Sequence, residues 1–200
     1  MSNEMPEVSR RDLLRGIALS LTLGGMQVAD AQHVHQMAAD EKIANGSYKP
    51  KAFNSHEYAT LQKLADLIVP ADEHSPSAAE SGAAEFIDLL ASQNPELAAI
   101  YTGGTAWLDH QMEQRYQTNF LNAQSDQQKA LLDLIAYRKN ESPELGPGIR
   151  FFDWARMMVI DAFYTSPAGV KDLGYMGNTA VAKFEVPQQA IDYALKRSPV

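Results

Sequence analysis

Residues 150–164 (RFFDWARMMVIDAFY) carry apolar side chains at Phe151, Phe152, Trp154, Met157, Met158, Ile160, Phe163 and Tyr164. At 3.6 residues per turn these positions cover nearly the whole circumference of a helix. A helix apolar on every side has to be enclosed by other elements or shared with a partner. The enclosing elements are other helices, because period-two alternation never persists long enough for a strand anywhere in the 200 residues. The fold class is therefore all-α: a single helical domain of five or six helices built around this segment.

The other helices announce themselves by caps and spacing. Asn54-x-x-Glu57 has the form of a capping box, and Tyr58, Leu61, Leu64, Ala65 and Ile68 follow on one face until Pro70 stops the run. Residues 78–92, with Phe86, Ile87, Leu89 and Leu90, form the next helix. Asn94-Pro95 pairs a cap with proline at the first helical position and opens a long helix to about Thr118. Gly103-Gly104 lies inside it, at about 1 kcal/mol per glycine relative to Ala, and marks either a bend or the close approach of another backbone. Ser125-x-x-Gln128 reads as a capping box for a helix at 126–138, and a last short helix spans 188–197. Residues 167–187, with Gly169, Gly174 and Gly177, read as a long irregular segment. Residues 32–53 lack sustained periodicity and read as a flexible arm or linker.

The first thirty residues differ in kind. Ser9-Arg10-Arg11-x-Leu13-Leu14 precedes an apolar run of eleven residues at 16–26 (GIALSLTLGGM), and Ala29-Asp30-Ala31 supplies a small-x-small cleavage pattern. A membrane-spanning helix needs about 20 apolar residues, so the run suits a signal sequence and not an anchor. Residues 1–31 read as a twin-arginine signal peptide, either cut after Ala31 or retained, with 32–53 as the arm and 54–200 as the helical domain, exported to the periplasm. That route carries proteins that have already folded, so it serves a chain that must collect a cofactor or a partner before export.

Nothing in the chain offers a cofactor site. There is no Cys, hence no disulfide, thiolate metal site, Cys-linked haem or Cys nucleophile. Gly174-x-x-Gly177 lacks the first glycine and the preceding strand of a dinucleotide fingerprint, and no phosphate-binding loop is present. Neither Glu-x-x-His nor His-Glu-x-x-His occurs. His33 and His35 form a His-x-His, but two ligands do not make a metal site. His56 and His110 read as helix-surface residues, and Asp72-Glu73 as loop acids whose side chains diverge. With 17 Lys and Arg against 25 Asp and Glu, the formal charge of −8 leaves no basic face for nucleic acid. No catalytic, cofactor-binding or metal-binding residue is assigned. A folded-protein export signal on a chain without a cofactor site points to a partner.

Three pieces together resemble the gluconate 2-dehydrogenase subunit 3 family, across roughly residues 9–178. They are the arginine-pair leader, the helix end Leu64-Ala65-Asp66-Leu67-Ile68-Val69-Pro70-Ala71-Asp72 followed by Ala79-x-x-Gly82 and Phe86-Ile87-Asp88, and the long run Phe163-Tyr164-Thr165-Ser166-Pro167-x-Gly169-x-Lys171-Asp172-Leu173-Gly174-Tyr175-x-Gly177-Asn178. The family often has Pro-Gly-Ala after the Pro-x-Asp; Ser75-Pro76-Ser77-Ala78 stands there instead. The resemblance implies a non-catalytic, cofactor-free small subunit. Its partner would be an FAD-containing glucose-methanol-choline-type large subunit, with a multihaem cytochrome c subunit as electron acceptor and the twin-arginine translocase as exporter. The partner-facing element would be Tyr164, Thr165, Ser166, Pro167, Gly169, Lys171, Gly174, Tyr175, Gly177 and Asn178, where glycines permit close backbone approach and tyrosines act as anchors. The alternative use of the same segment is to cap the subunit's own core. At the level of function, the alternatives are a stand-alone periplasmic ligand-binding protein and an enzyme with an unrecognised site.

Overall fold

The computed structural model describes residues 28–174 and 186–197. Within them the chain forms eight α-helices: α1 (Val28–Asn45), α2 (Ser55–Ile68), α3 (Ala83–Ala91), α4 (Pro95–Tyr116), α5 (Ser125–Ile135), α6 (Gly146–Thr165), α7 (Pro167–Asp172) and α8 (Gln188–Arg197). A 3₁₀ turn at Arg138–Asn140 follows α5, and no strand occurs among the described residues. The all-α single domain expected from the periodicity is the architecture found.

The centre is α6, which packs against α1 through α5 and against α7. Its inner face comprises Ile149, Phe151, Phe152, Ala155, Met158, Val159, Ala162 and Phe163, all buried. Removing each large apolar side chain from water contributes about 1.5–3 kcal/mol, which makes this interior the main source of stability. The caps act where the sequence put them at two helices. Asn54 accepts from the His56 and Glu57 amides while Glu57 accepts from the Asn54 amide. Asn94 accepts from Glu96 and Leu97. At α5 the box sits one residue earlier than expected: Gln127 accepts from the Gln124 amide at 3.0 Å. Gln128 is thereby free to turn inward, where it donates to the Phe120 carbonyl at 2.6 Å.

The glycine pair does not bend α4, which runs unbroken through it. A Cβ at Gly104 would lie 2.0 Å from the Phe151 ring, whereas one at Gly103 would meet open space. Close approach of α6 is the reason for the second glycine. The same contact is made in reverse at Gly148, where a Cβ would lie 2.3 Å from the Trp107 ring.

Two segments correct the sequence reading. Residues 32–53 are not a flexible arm over most of their length: α1 occupies 28–45, with Ala31 and Val34 fully buried and Ala38 6% exposed. The buried positions do follow helical spacing, but they are small, and the face they share also holds His35 and Lys42. The rest of the expected arm is fastened by Asp88 on α3. That carboxylate, itself fully buried, accepts from the Tyr48 hydroxyl at 2.7 Å and from the amides of Lys51, Ala52 and Phe53 at 2.7, 3.0 and 3.1 Å. Burial and then Asp88 push the Tyr48 hydroxyl far above its ordinary range, so it stays a donor. The expected irregular segment 167–187 begins with α7 instead; its residues 175–185 lie outside the described residues.

Candidate functional site

The two internal segments that carry the family resemblance meet in space. Pro70 ends α2, and the following loop is held closed by its own polar groups. Asp72 accepts from the amides of His74 and Ser75, both at 2.8 Å, and these bonds hold its carboxyl below the usual range. The Ala78 amide donates to the Val69 carbonyl at 3.0 Å, and the Ser77 hydroxyl donates to Asp66 at 2.5 Å. This loop faces the end of α6 and α7 across a groove of about 380 Å³. Ile68, Val69, Pro70, Asp72 and Ser75 line one side, and Ile160, Phe163, Tyr164 and Asp172 the other.

Beside the groove, α6 is not fully enclosed. Met157, Ile160 and Tyr164 are 43%, 38% and 38% exposed. Their spacing of three and four residues places them in one stripe along the helix. The stripe runs into the groove at Ile160 and Tyr164. Asp161 stands next to it, and partial burial raises its carboxyl above the ordinary value. The all-round apolar character of α6 thus has two causes: most of it fills the core, and one strip is left uncovered.

The α6–α7 corner divides the sequence-predicted interface residues by role. Ser166 is fully buried and its hydroxyl accepts from the Gly169 amide at 3.1 Å, capping α7. Gly169 is required by packing, since a Cβ there would lie 2.1 Å from the Phe163 carbonyl oxygen. Thr165 donates to the Asp161 carbonyl at 2.6 Å and faces α1. These three residues hold the corner together. Tyr164, Pro167, Lys171 and Gly174 are exposed on it, and Gly174 has a positive φ of 61°. Tyr175, Gly177 and Asn178 lie outside the described residues, as do Ser9, Arg10, Arg11, Leu13 and Leu14 of the export signal. Of the expected cleavage pair, Ala29 falls in the first turn of α1 and Ala31 is buried in the same helix.

A second groove, of about 490 Å³, runs between α1, the turn at 80–82 and α7, and His35 lies in it. The imidazole packs against the Phe86 ring at 4.8 Å, and its Nε2 is 3.1 Å from Thr165 Oγ1. The Thr165 hydroxyl proton is already given to Asp161, so Nε2 carries the hydrogen and donates. Burial lowers His35 to about 4, outweighing the opposing effects of the Ala162 carbonyl and the Glu85 charge, so the ring is neutral at pH 7. Nearby, Lys42 pairs with buried Glu85 at 2.5 Å. Sequence reading misses this site because His35 falls within residues 32–53, which read as an arm; the spacing of Ala31, Val34, His35 and Ala38 is the available signal.

His33 and His35 are two residues apart on α1 and point to different sides, His33 outward. His56 is not simply a surface residue: its Nε2 lies 2.6 Å from Asp109 on α4. Among the described residues no group of three or more His, Asp or Glu could hold a metal ion, and no helix is long and apolar enough to cross a membrane.

No curated protein and no solved structure matches the chain. A family model described as gluconate 2-dehydrogenase subunit 3 matches residues 55–182. That span begins at the first residue of α2 and includes both walls of the smaller groove and the whole of α6 and α7. The chain belongs to the gluconate 2-dehydrogenase subunit 3 family.

Proposed function

We propose that this chain is the non-catalytic small subunit of a periplasmic flavoprotein dehydrogenase complex. It supplies the twin-arginine export signal through Arg10 and Arg11 and stabilises an FAD-containing large subunit of the glucose-methanol-choline type. Family membership supports a place in a dehydrogenase complex. The observation that carries the docking role is the uncovered stripe Met157–Ile160–Tyr164 opening into the groove between the two family segments. An apolar strip bordered by a polar loop is the anatomy of a protein interface, with Tyr164 as an aromatic anchor. The cofactor belongs to the partner in this reading, and a multihaem cytochrome c subunit takes the electrons. The domain docks on the large subunit in the cytoplasm, and the pair crosses the membrane together.

The test is co-purification from the periplasm of the native host through a tag at Val200, with flavin absorbance recorded and each co-purifying chain identified. A flavoprotein at near-equal amount is expected. Met157→Glu with Ile160→Glu should reduce its recovery at least about tenfold, since anchors of this kind contribute about 2 kcal/mol or more. Because both side chains already face solvent, the melting temperature should hold. Arg10→Lys with Arg11→Lys should strand both partners in the cytoplasm. A flavoprotein that is still exported normally would refute joint export. A colourless monomer would favour the stand-alone binding protein, for which the groove beside His35 has the size of a small-molecule site.

A further inference from the structure

The small-x-small pattern Ala29-Asp30-Ala31 marks a leader-peptidase site, but its second alanine is part of the folded domain. Peptidases of this kind bind their substrate as an extended strand, with the small side chains before the scissile bond held in pockets. Here the Ala31–Gln32 bond lies inside α1, and Ala31 is fully buried at one end of the inner face that continues through Val34 and Ala38. Downstream, three contacts pin the helix at two positions, His35 and Lys42. The His35 ring packs on Phe86 at 4.8 Å, His35 Nε2 donates to Thr165 at 3.1 Å, and Lys42 meets Glu85 at 2.5 Å. Extending the chain across the bond means unwinding α1 from Val28 past Gln32 and drawing Ala31 out of the core. The peptidase therefore meets a docked helix if the chain arrives folded.

We infer that the docked α1 shields the Ala29–Ala31 site, so that the leader stays joined to the exported subunit. The inference rests on the proposed twin-arginine export, because only a route for folded proteins delivers α1 already in place. Arg10 and Arg11 then remain on the mature chain, and α1 stays whole.

The decisive comparison uses purified full-length protein and a synthetic peptide of residues 22–36, each incubated with leader peptidase and read by mass spectrometry. The peptide should be cut between Ala31 and Gln32. The folded chain should keep its 22.0 kDa mass, with cleavage slower by at least about tenfold, the protection that local closure confers on a buried site. Equal rates, or a peptide that is not cut, overturn the inference. Val34→Asp, which loosens the docking of α1, should restore cleavage; a folded but uncut variant also overturns it. The subunit recovered from the periplasm should have the full-length mass, and a chain beginning at Gln32 is the contrary result. Failure of the export reading shows separately, as normal export of the Arg10→Lys, Arg11→Lys chain.

Discussion

Replacing Asp88 by Asn alters almost no volume, so it isolates what the buried carboxylate does. Its two oxygens serve four donors: Ala52 and Phe53 on one, the Tyr48 hydroxyl and the Lys51 amide on the other. Asn keeps one carbonyl oxygen. If that oxygen serves Ala52 and Phe53, the new NH₂ faces Tyr48 and Lys51. The Tyr48 hydroxyl can rotate and accept, but the Lys51 amide cannot, and it loses its partner. An orphaned donor costs about 1–3 kcal/mol, and the remaining bonds lose their charge assistance, worth about 1 kcal/mol each. The sum is about 3–5 kcal/mol, a large part of the 5–15 kcal/mol that holds a typical domain. With a urea slope of about 2 kcal/mol/M, the midpoint should fall by roughly 1.5–2.5 M at unchanged slope. Hydrogen exchange should place the loss first at the amides of Lys51, Ala52 and Phe53. A midpoint shift below about 0.5 M would mean that the 46–53 linker is held by something other than this carboxylate, and the reasoning fails.

The two adjacent glycines of α4 provide an internal control. Gly104→Ala drives a methyl into the Phe151 ring and should destabilise by about 1–3 kcal/mol, whereas Gly103→Ala, in open space, should stabilise by up to about 1 kcal/mol; thermal melts of the pair should move in opposite directions. His35 gives a pH dependence. Its folded value of about 4 lies below the ordinary 6.5, so the unfolded chain binds the extra proton first and stability falls as pH drops through that window, by no more than about 3 kcal/mol. Glu85 and Lys42 also face the ring's surroundings, so the quantity to read is the wild-type slope minus that of His35→Gln, which should be positive between pH 4 and 6.5. Ser166→Ala removes the α7 cap and should cost about 1 kcal/mol in urea denaturation while leaving capture of the flavoprotein intact.

What the sequence disclosed depended on whether a residue's role was local. Asn54, Asn94 and Pro95 act within one helical turn, so α2 and α4 could be placed from their own letters. Helix α1 could not, because its inner face is built from Ala31, Val34, His35, Ala38 and Lys42. Only Phe86 and Glu85, some fifty residues on, make that face a packing surface. Gly103 and Gly104 were equivalent until Phe151 distinguished them. The stripe on α6 was visible as an excess of apolar residues, yet which of them would stay uncovered depends on where α2 and α7 end.

The same distinction bears on how the family resemblance should be used. The run from Phe163 to Gly174 mixes two duties within a dozen residues. Ser166 and Gly169 build the corner, by a cap and by a contact too close for any Cβ. Tyr164, Pro167 and Lys171 are what the corner presents to solvent. A likeness in sequence cannot separate them, because a corner that binds must first be a corner. Energetics can: a change at Ser166 or Gly169 acts on stability first and on binding only through it. On the proposed docking, a change at Met157, Ile160 or Tyr164 should act on binding with little change in stability. A run whose residues all behaved like Ser166 would serve the subunit's own core, and the docking surface would have to be sought elsewhere.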